Sequence, residues 1–571
     1  SGFSVLEKVF PFLRWFPPTA ENLRADVIAG ITIAMILVPQ SMAYASLAGL
    51  PVVYGLYASF LPVIVASMWG ASRFLHTGPV AMLSLMSAAA IEPLASRGSE
   101  EFIQLSMLLA LLVGVLRLAL GLFRMGVLIN LASHPVILGF TNAAAIIIAT
   151  SQLSKIFGVV VEKGEHHYDT IWRVVVAATS ETHVLTLAMG LLAIAIMALM
   201  KKFTPRLPNV LIAVVITTLL SYFMGYETQG GKVVGVVPAG VTMPGVPADL
   251  SWDVLVQLIT TAVIISIIGF MEAISIAKAM AARTGQRLDP NQELIGQGLA
   301  NIVGSFFHSY VVSGSFSRSA VAARVGAKTG FYAVVSAFGV LLVMMFLTDY
   351  LYHLPKAVLA AIVMSAVFGL IDYKSLVHSW KVRRIDGVVG LVTFVTTLIM
   401  APKLADGVLV GVAFTVLMFL AGTMKPRSEV LGRKANGSLG GAATHDLAPI
   451  SENFVVMRFD ASLVFINAAH FEDAVLKSLN EFPHARAILI IGQGINRVDA
   501  TGEEKLRAVT RDLQAAGVTL MLAGLKKPVI EALERAGLEH VIGKENIIGN
   551  KQTALRVLAR RYPAAEFKQV A

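Results

Sequence analysis

Cysteine is absent from all 571 residues, so disulfides, thiolate metal sites and cysteine nucleophiles are excluded. Charge is scarce too. Asp, Glu, Lys and Arg make up 14% of the chain, against about 25% in an ordinary soluble domain. Hydrophobic residues account for 56%, gathered into runs long enough to cross a bilayer. The formal net charge is +10. The Lys and Arg residues sit in short clusters between apolar runs, which is the pattern of membrane orientation and not of nucleic-acid binding. No Walker motif is present, which argues against an ATP-driven pump. Gly492-Gln-Gly494 follows a strand-like run, but Arg497 replaces the third glycine of a dinucleotide loop. No cofactor is expected.

Residues 1–22 read as a cytoplasmic, interfacial N-terminal segment, with the Phe10–Phe16 aromatics at headgroup level. Residues 23–425 read as an α-helical transport domain of about fourteen membrane segments, two sets of seven over about 23–225 and 252–422. The first set places spans near 26–45, 53–69, 102–122, 127–157, 184–200 and 208–225. Among them lies an apolar run from Pro79 to Ile91, too short for a bilayer that needs about 20 helical residues. The second set has spans near 252–280, 291–307, 331–347, 355–371, 386–400 and 405–422, around a short helix from Ser315. Pro39 breaks the first span ahead of Gln40 and Tyr44, and Glu272 sits inside the corresponding span of the second set. Paired short or broken segments in two halves point to a 7+7 inverted repeat with a binding site between the halves.

Loop charge gives the orientation. With the N-terminus inside, cytoplasmic loops hold Arg73, Arg117, Arg124, the Lys201–Arg206 cluster, Arg283, Arg287, Arg324, Lys328 and the Lys381–Arg384 cluster. The opposite loops hold mainly Arg97, Lys163, Arg173, Lys232 and Lys403. The expectation is a multi-pass protein of the plasma (inner) membrane with both termini cytoplasmic.

The chemistry centres on Gly314–Lys328. A glycine and serines precede a short helix that carries Arg318 in its first turn, at membrane depth. A helix starting there aims free N–H groups and a positive dipole end at a cavity, which suits an anion. The alternative is an arginine snorkelling to the surface. Pro79 occupies the favoured first position of the other short helix. Val80, Ser315, Phe316 and Ser317 would present backbone N–H groups or flank the anion. Gln40 and Tyr44 lie one turn apart and either line the site or pack. Glu272 either carries a coupling proton or hydrogen-bonds a neighbouring helix. His166-His167 has no third ligand at sensible spacing, so a solvated loop is expected and no metal.

After Lys425 the composition shifts. Residues 426–449 read as a linker, richest in Gly, Ala, Ser and Asn over Gly432–Gly441. Residues 450–571 read as a small cytoplasmic α/β domain, with strands at 454–459, 463–466, 487–491 and 519–523 and helices from Ala469 and after Thr501.

Leu47-Ala-Gly-Leu-Pro51, Tyr54-Gly-Leu-Tyr57, Gly78-Pro79-Val80-Ala81 and Gly314-Ser-Phe-Ser-Arg-Ser-Ala320 resemble signatures of the sulfate permease (SulP) family, solute carrier family 26. Glu272-Ala-Ile, Glu293-Leu and Asn301-Ile-Val-Gly-Ser305 are similar to its sulfate-transporting branch, and the C-terminal part is similar to its STAS domain. The resemblance implies core and gate domains, an anion site between the third and tenth segments, and a homodimer. It implies a transporter and not an enzyme. Sulfate uptake with protons is the leading expectation. Sodium-coupled bicarbonate, proton-coupled dicarboxylate and an anion channel are the alternatives. Asp499-Ala-Thr-Gly502 matches the family's loop whose hydroxyl residue is phosphorylated in related proteins, which puts Thr501 in a regulatory place. Thr501-Gly-Glu-Glu504 also reads as a capping box.

Overall fold

A computed structural model describes residues 2–247 and 251–563. The last eight residues of the expected STAS domain lie outside the described residues. Helix α1 (Ala20–Leu47) starts where Thr19 Oγ1 accepts the Asn22 N–H at 3.1 Å, and it carries Pro39 within it. Its stretch from Leu37 to Ala45 is buried. Strand β1 (His76–Gly78) leads into helix α2 (Ala81–Ile91). Helices α3 (Glu100–Leu122), α4 (His134–Ser151) and α5 (His167–Glu181) follow. The second half holds α6 (Trp252–Thr284), α7 (Pro290–Phe306), strand β2 (Ser313–Ser315), α8 (Phe316–Val325) and α9 (Phe331–Leu342). Among the described residues eight helices are long and apolar enough to cross a membrane, and shorter apolar ones cover Val53–Trp69, Ala81–Ile91 and Asn209–Met224.

Most expected spans coincide with helices to within a few residues. Four places differ. The expected single span at 127–157 is broken at Ser133, whose backbone is extended and which precedes a helix with Pro135 in its first turn. Helices α5 and Tyr373–Val382 fall in stretches read as loops, because their polar residues hide them from a hydropathy window. Arg117, expected in a cytoplasmic loop, is fully buried within α3.

Close helix contact joins the two halves. A Cβ on Gly114 of α3 would lie 2.7 Å from the Ile302 nitrogen, and one on Gly298 of α7 would lie 2.5 Å from the Leu118 nitrogen. Only glycine lets α3 and α7 approach so closely, a common device where water drives no association. Two carboxylates then tie distant loops. Asp26 accepts the Lys328 and Thr329 N–H groups at 2.8 and 3.0 Å. Glu293 accepts those of Ala71 and Ser72 at 2.7 and 3.0 Å.

Contacts divide the chain into two units, 1–415 and 416–571. The second is built on one six-stranded sheet. Its strands are β3 (Ser428–Arg433), β4 (Leu439–Gly441), β5 (Phe454–Phe459), β6 (Ala487–Ile491), β7 (Thr519–Ala523) and β8 (Ile547–Ile548), in the order β4-β3-β5-β6-β7-β8. Strand β3 is antiparallel to both neighbours, and β5 to β8 run parallel. The expected linker at 426–449 therefore contains a hairpin of the sheet. Gly437, with φ of +80°, turns the chain after Asn436, an Asn-Gly pair suited to such a reversal. The expected strand at 463–466 reduces to one bridge, Leu463 to Val498.

Candidate functional site

Strands β1 and β2 pair antiparallel, His76 opposite Ser315, Thr77 opposite Gly314 and Gly78 opposite Ser313. Each runs at once into a short helix, β1 through Val80 into α2 and β2 directly into α8. Antiparallel pairing satisfies backbone groups that lipid could not, and it brings two helix N-termini to one strand pair. Helix α2 has no side-chain cap. On α8, Ser315 Oγ accepts the Arg318 N–H at 3.3 Å. Glycine is required at the crossing: a Cβ on Gly314 would lie 2.5 Å from Leu75, and one on Gly78 would lie 3.0 Å from Arg318 Nη2.

Arg318 is fully buried. Its Nε donates to His76 Nδ1 at 3.1 Å and its Nη1 to Gln40 Oε1 at 3.2 Å. Among the described residues its Nη2 has no hydrogen-bond partner. A guanidinium only donates, so His76 must accept at Nδ1 and carry its proton on Nε2. That proton faces Ser336 Oγ at 2.9 Å, and Ser336 Oγ donates to the Ala333 carbonyl at 2.6 Å. The imidazole is thus held neutral beside the arginine. Among the described residues no ion pair includes Arg318. A buried cation with one free N–H edge is a natural place for an anion.

The other expected residues fall around this centre unequally. Gln40 is joined to Arg318, whereas Tyr44 packs in an apolar cluster with Leu37, Val38 and Ala81. Pro79 is buried and Val80 half-buried, its carbonyl accepting from Ser84. Phe316 and Ser317 are exposed in the first turn of α8. Glu272 is half-buried on α6 and lies in no ion pair among the described residues. Its neighbours reach the crossing: the Gly269 carbonyl accepts from Ser313 Oγ at 3.1 Å, and Ala273 packs against Gly314. Among the described residues Arg318 is hydrogen-bonded to Gln40 and not to Glu272.

In the second unit, the cap of helix α10 (Ala500–Ala515) is Asp499 and not Thr501. Asp499 accepts the Gly502 N–H at 2.8 Å and the Phe465 N–H at 2.9 Å. Thr501 is exposed in the first turn, so the capping-box reading is corrected.

Sequence reasoning missed two residues, His76 and Arg117. Arg117 Nη1 donates to the Val312 carbonyl at 3.2 Å and to Gln297 Oε1 at 3.3 Å, and Nη2 to the Ile265 carbonyl at 3.3 Å. Its signal was available: one arginine with apolar runs on both sides, mid-helix.

The sulfate permease family model matches residues 23–393, and the STAS domain model matches 447–554. The chain belongs to the sulfate permease family. It is similar to the chloroplastic sulfate transporter 4.1 of Arabidopsis thaliana, 33% identical over 95% of this chain and 81% of that one. A probable sulfate transporter of Mycobacterium tuberculosis is likewise 33% identical, over 94% of this chain and 96% of the relative. Among solved structures, the murine solute carrier 26 family member A9 anion transporter in its inward-facing state superposes with a TM-score of 0.88 at 24% identity, over 98% of this chain and 95% of that one. The transmembrane domain of a cyanobacterium bicarbonate transporter gives 0.60 at 22% identity, over 70% of this chain and 98% of that one. This sulfate permease family member is thus a multi-pass membrane protein with a helical transporter fold and a STAS domain.

Proposed function

We propose that the chain is a secondary active transporter that takes up sulfate with protons by alternating access. The anion sits between the first turns of α2 and α8, the third and tenth segments of an inverted repeat. The observation that carries this is the unpartnered Nη2 of buried Arg318 at the meeting of two helix N-termini. Pro79, Val80, Ser315, Phe316 and Ser317 shape those turns, Gln40 orients the guanidinium, and Tyr44 backs α2. The relatives named as sulfate transporters support the substrate.

Charge supports it as well. Two helix N-termini offer about +0.5 each, and Arg318 adds one full charge, so a dianion is matched. An ionised Glu272 in the same cavity would lower the match by one, so sulfate is balanced when Glu272 is protonated. Proton entry through Glu272 then accompanies sulfate, with the protein a homodimer in the plasma membrane and both termini cytoplasmic. The test is uptake of labelled sulfate, bicarbonate and succinate into proteoliposomes at two pH values. Sulfate uptake should rise as pH falls, and Glu272→Gln should keep binding but abolish accumulation driven by a proton gradient. Sulfate uptake indifferent to pH overturns the proton coupling. Bicarbonate or succinate uptake without sulfate binding overturns the substrate.

A further inference from the structure

A cavity of about 430 Å³ opens at the other end of α2, away from the strand crossing, and its lining includes Arg97, Lys155, Lys163, Lys232, Lys356 and one carboxylate, Glu92. Glu92 is already taken twice, by Arg97 Nη1 at 2.8 Å and Lys163 Nζ at 2.7 Å. Lys155 Nζ has only a hydroxyl, Ser46 Oγ at 3.0 Å. The charged groups acting on Lys155 are Arg97, Lys356 and Lys163, all of the same sign. Among the described residues Lys155, Lys232 and Lys356 are in no ion pair. Five basic side chains face one carboxylate, an excess of four basic groups. The half-charge at the carboxyl end of α2 lowers that excess only slightly.

Nothing else in the wall offsets it. His167, which also lines the cavity, shares a hydrogen bond with Thr150 Oγ1 at 2.7 Å. Burial, then Lys163, push its imidazole down to about 4, so it is neutral at neutral pH. Like charges gathered around one space destabilise the protein unless something of opposite sign enters. Each water takes about 30 Å³ of liquid volume, so the space holds a small anion with part of its hydration shell.

We propose that this cavity is a second anion site, which takes a divalent tetrahedral oxyanion. Lys155 is its anchor, Lys356 and Lys232 bind alongside, and the Arg97–Glu92–Lys163 group closes the rim. The choice of an oxyanion rests on the proposed function, but the site itself does not. The same chemistry has two sources, free sulfate and the phosphate of an anionic lipid headgroup.

The test is a sulfate titration by calorimetry on the full-length protein, in detergent and in nanodiscs of phosphatidylcholine or phosphatidylglycerol. In detergent and in phosphatidylcholine we expect two binding components. Arg318→Ala removes one of them. Lys155→Met weakens the other roughly tenfold, as expected for the loss of a charge-assisted contact, and Lys356→Gln weakens it less. Lys155→Arg retains it, which separates loss of charge from misfolding. Loss of that component in phosphatidylglycerol alone assigns the cavity to headgroup phosphate, with the same oxyanion chemistry. Unchanged isotherms for both Lys155→Met and Lys356→Gln overturn the cavity site. So does loss of all sulfate binding in Arg318→Ala, which leaves the crossing site standing.

Discussion

Arg117 and Arg318 are both fully buried in the transport unit and neither has a carboxylate, yet their surroundings differ in kind. Arg117 spends both terminal nitrogens on fixed acceptors: two backbone carbonyls and Gln297, with only Nε unpaired. It fastens α3 to α6 and to Val312, the residue before β2. A Cβ on Gly269 would lie 2.4 Å from its Nη2, so a side chain at that position would clash with it. Arg318 spends Nε and Nη1 on side chains and leaves Nη2 open. One arginine is structural cement. The other has a terminal nitrogen with no hydrogen-bond partner among the described residues.

The largest expected effect follows from the cement. Arg117→Met removes the donor to Gln297 Oε1 and one donor each to the Ile265 and Val312 carbonyls, the latter keeping Asn301 Nδ2 at 3.1 Å, and a buried polar group left unpaired costs about 1–3 kcal/mol. We expect a fall of many degrees in the unfolding temperature of the detergent-solubilised protein, together with low yield. A wild-type melting curve would erase the distinction between the two arginines. His76→Ala comes next. It removes the acceptor that aims the Arg318 guanidinium, a hydrogen bond to a charged group worth about 1.5–3 kcal/mol. Sulfate affinity should fall roughly tenfold or more, while His76→Gln, which can still accept, should recover part of it. Gln40→Ala should act in the same direction with a smaller loss, read by the same binding measurement.

The smallest effect lies in the second unit. Hydrogen bonds from Thr444, reinforced by Arg427, hold the Glu429 carboxyl down to about 2. A depressed carboxylate stabilises the fold above its ordinary value of 4.5, and that contribution is lost as pH falls toward 2. Thr444→Val should therefore move acid unfolding of this unit to higher pH, by less than about one unit. Circular dichroism during acid titration reads it.

What was legible in the sequence follows the range of the physics. The short helices were visible because Pro79 and Ser315 punctuate apolar runs at their own positions. Strands β5, β6 and β7 were found at their observed limits, since mostly apolar runs of five or six residues, with Arg458 in β5 and Thr519 opening β7, fit buried parallel strands. His76 stayed hidden because its meaning lies in Arg318, 242 residues away. Arg117 was misplaced although the apolar runs around it were visible, and its acceptors Ile265 and Val312 lie 148 and 195 residues away. The β3–β4 hairpin was mistaken for a linker although Asn436-Gly437 marks its turn; glycine content outweighed the turn signal. The cap of α10 was placed at Thr501, two residues beyond Asp499, whose carboxylate also accepts the remote Phe465 N–H.

The central claim is that the open edge of Arg318 meets the transported anion. It is tested most directly by labelled sulfate uptake into proteoliposomes bearing wild type, Arg318→Ala or Arg318→Lys, with unfolding temperatures measured in parallel. The lost interaction is about 3–5 kcal/mol, roughly a hundredfold or more at low sulfate. We predict that loss for Arg318→Ala with a melting temperature close to wild type, and partial uptake for Arg318→Lys, a point charge without the planar fork. Wild-type uptake by a well-folded Arg318→Ala protein would contradict the account.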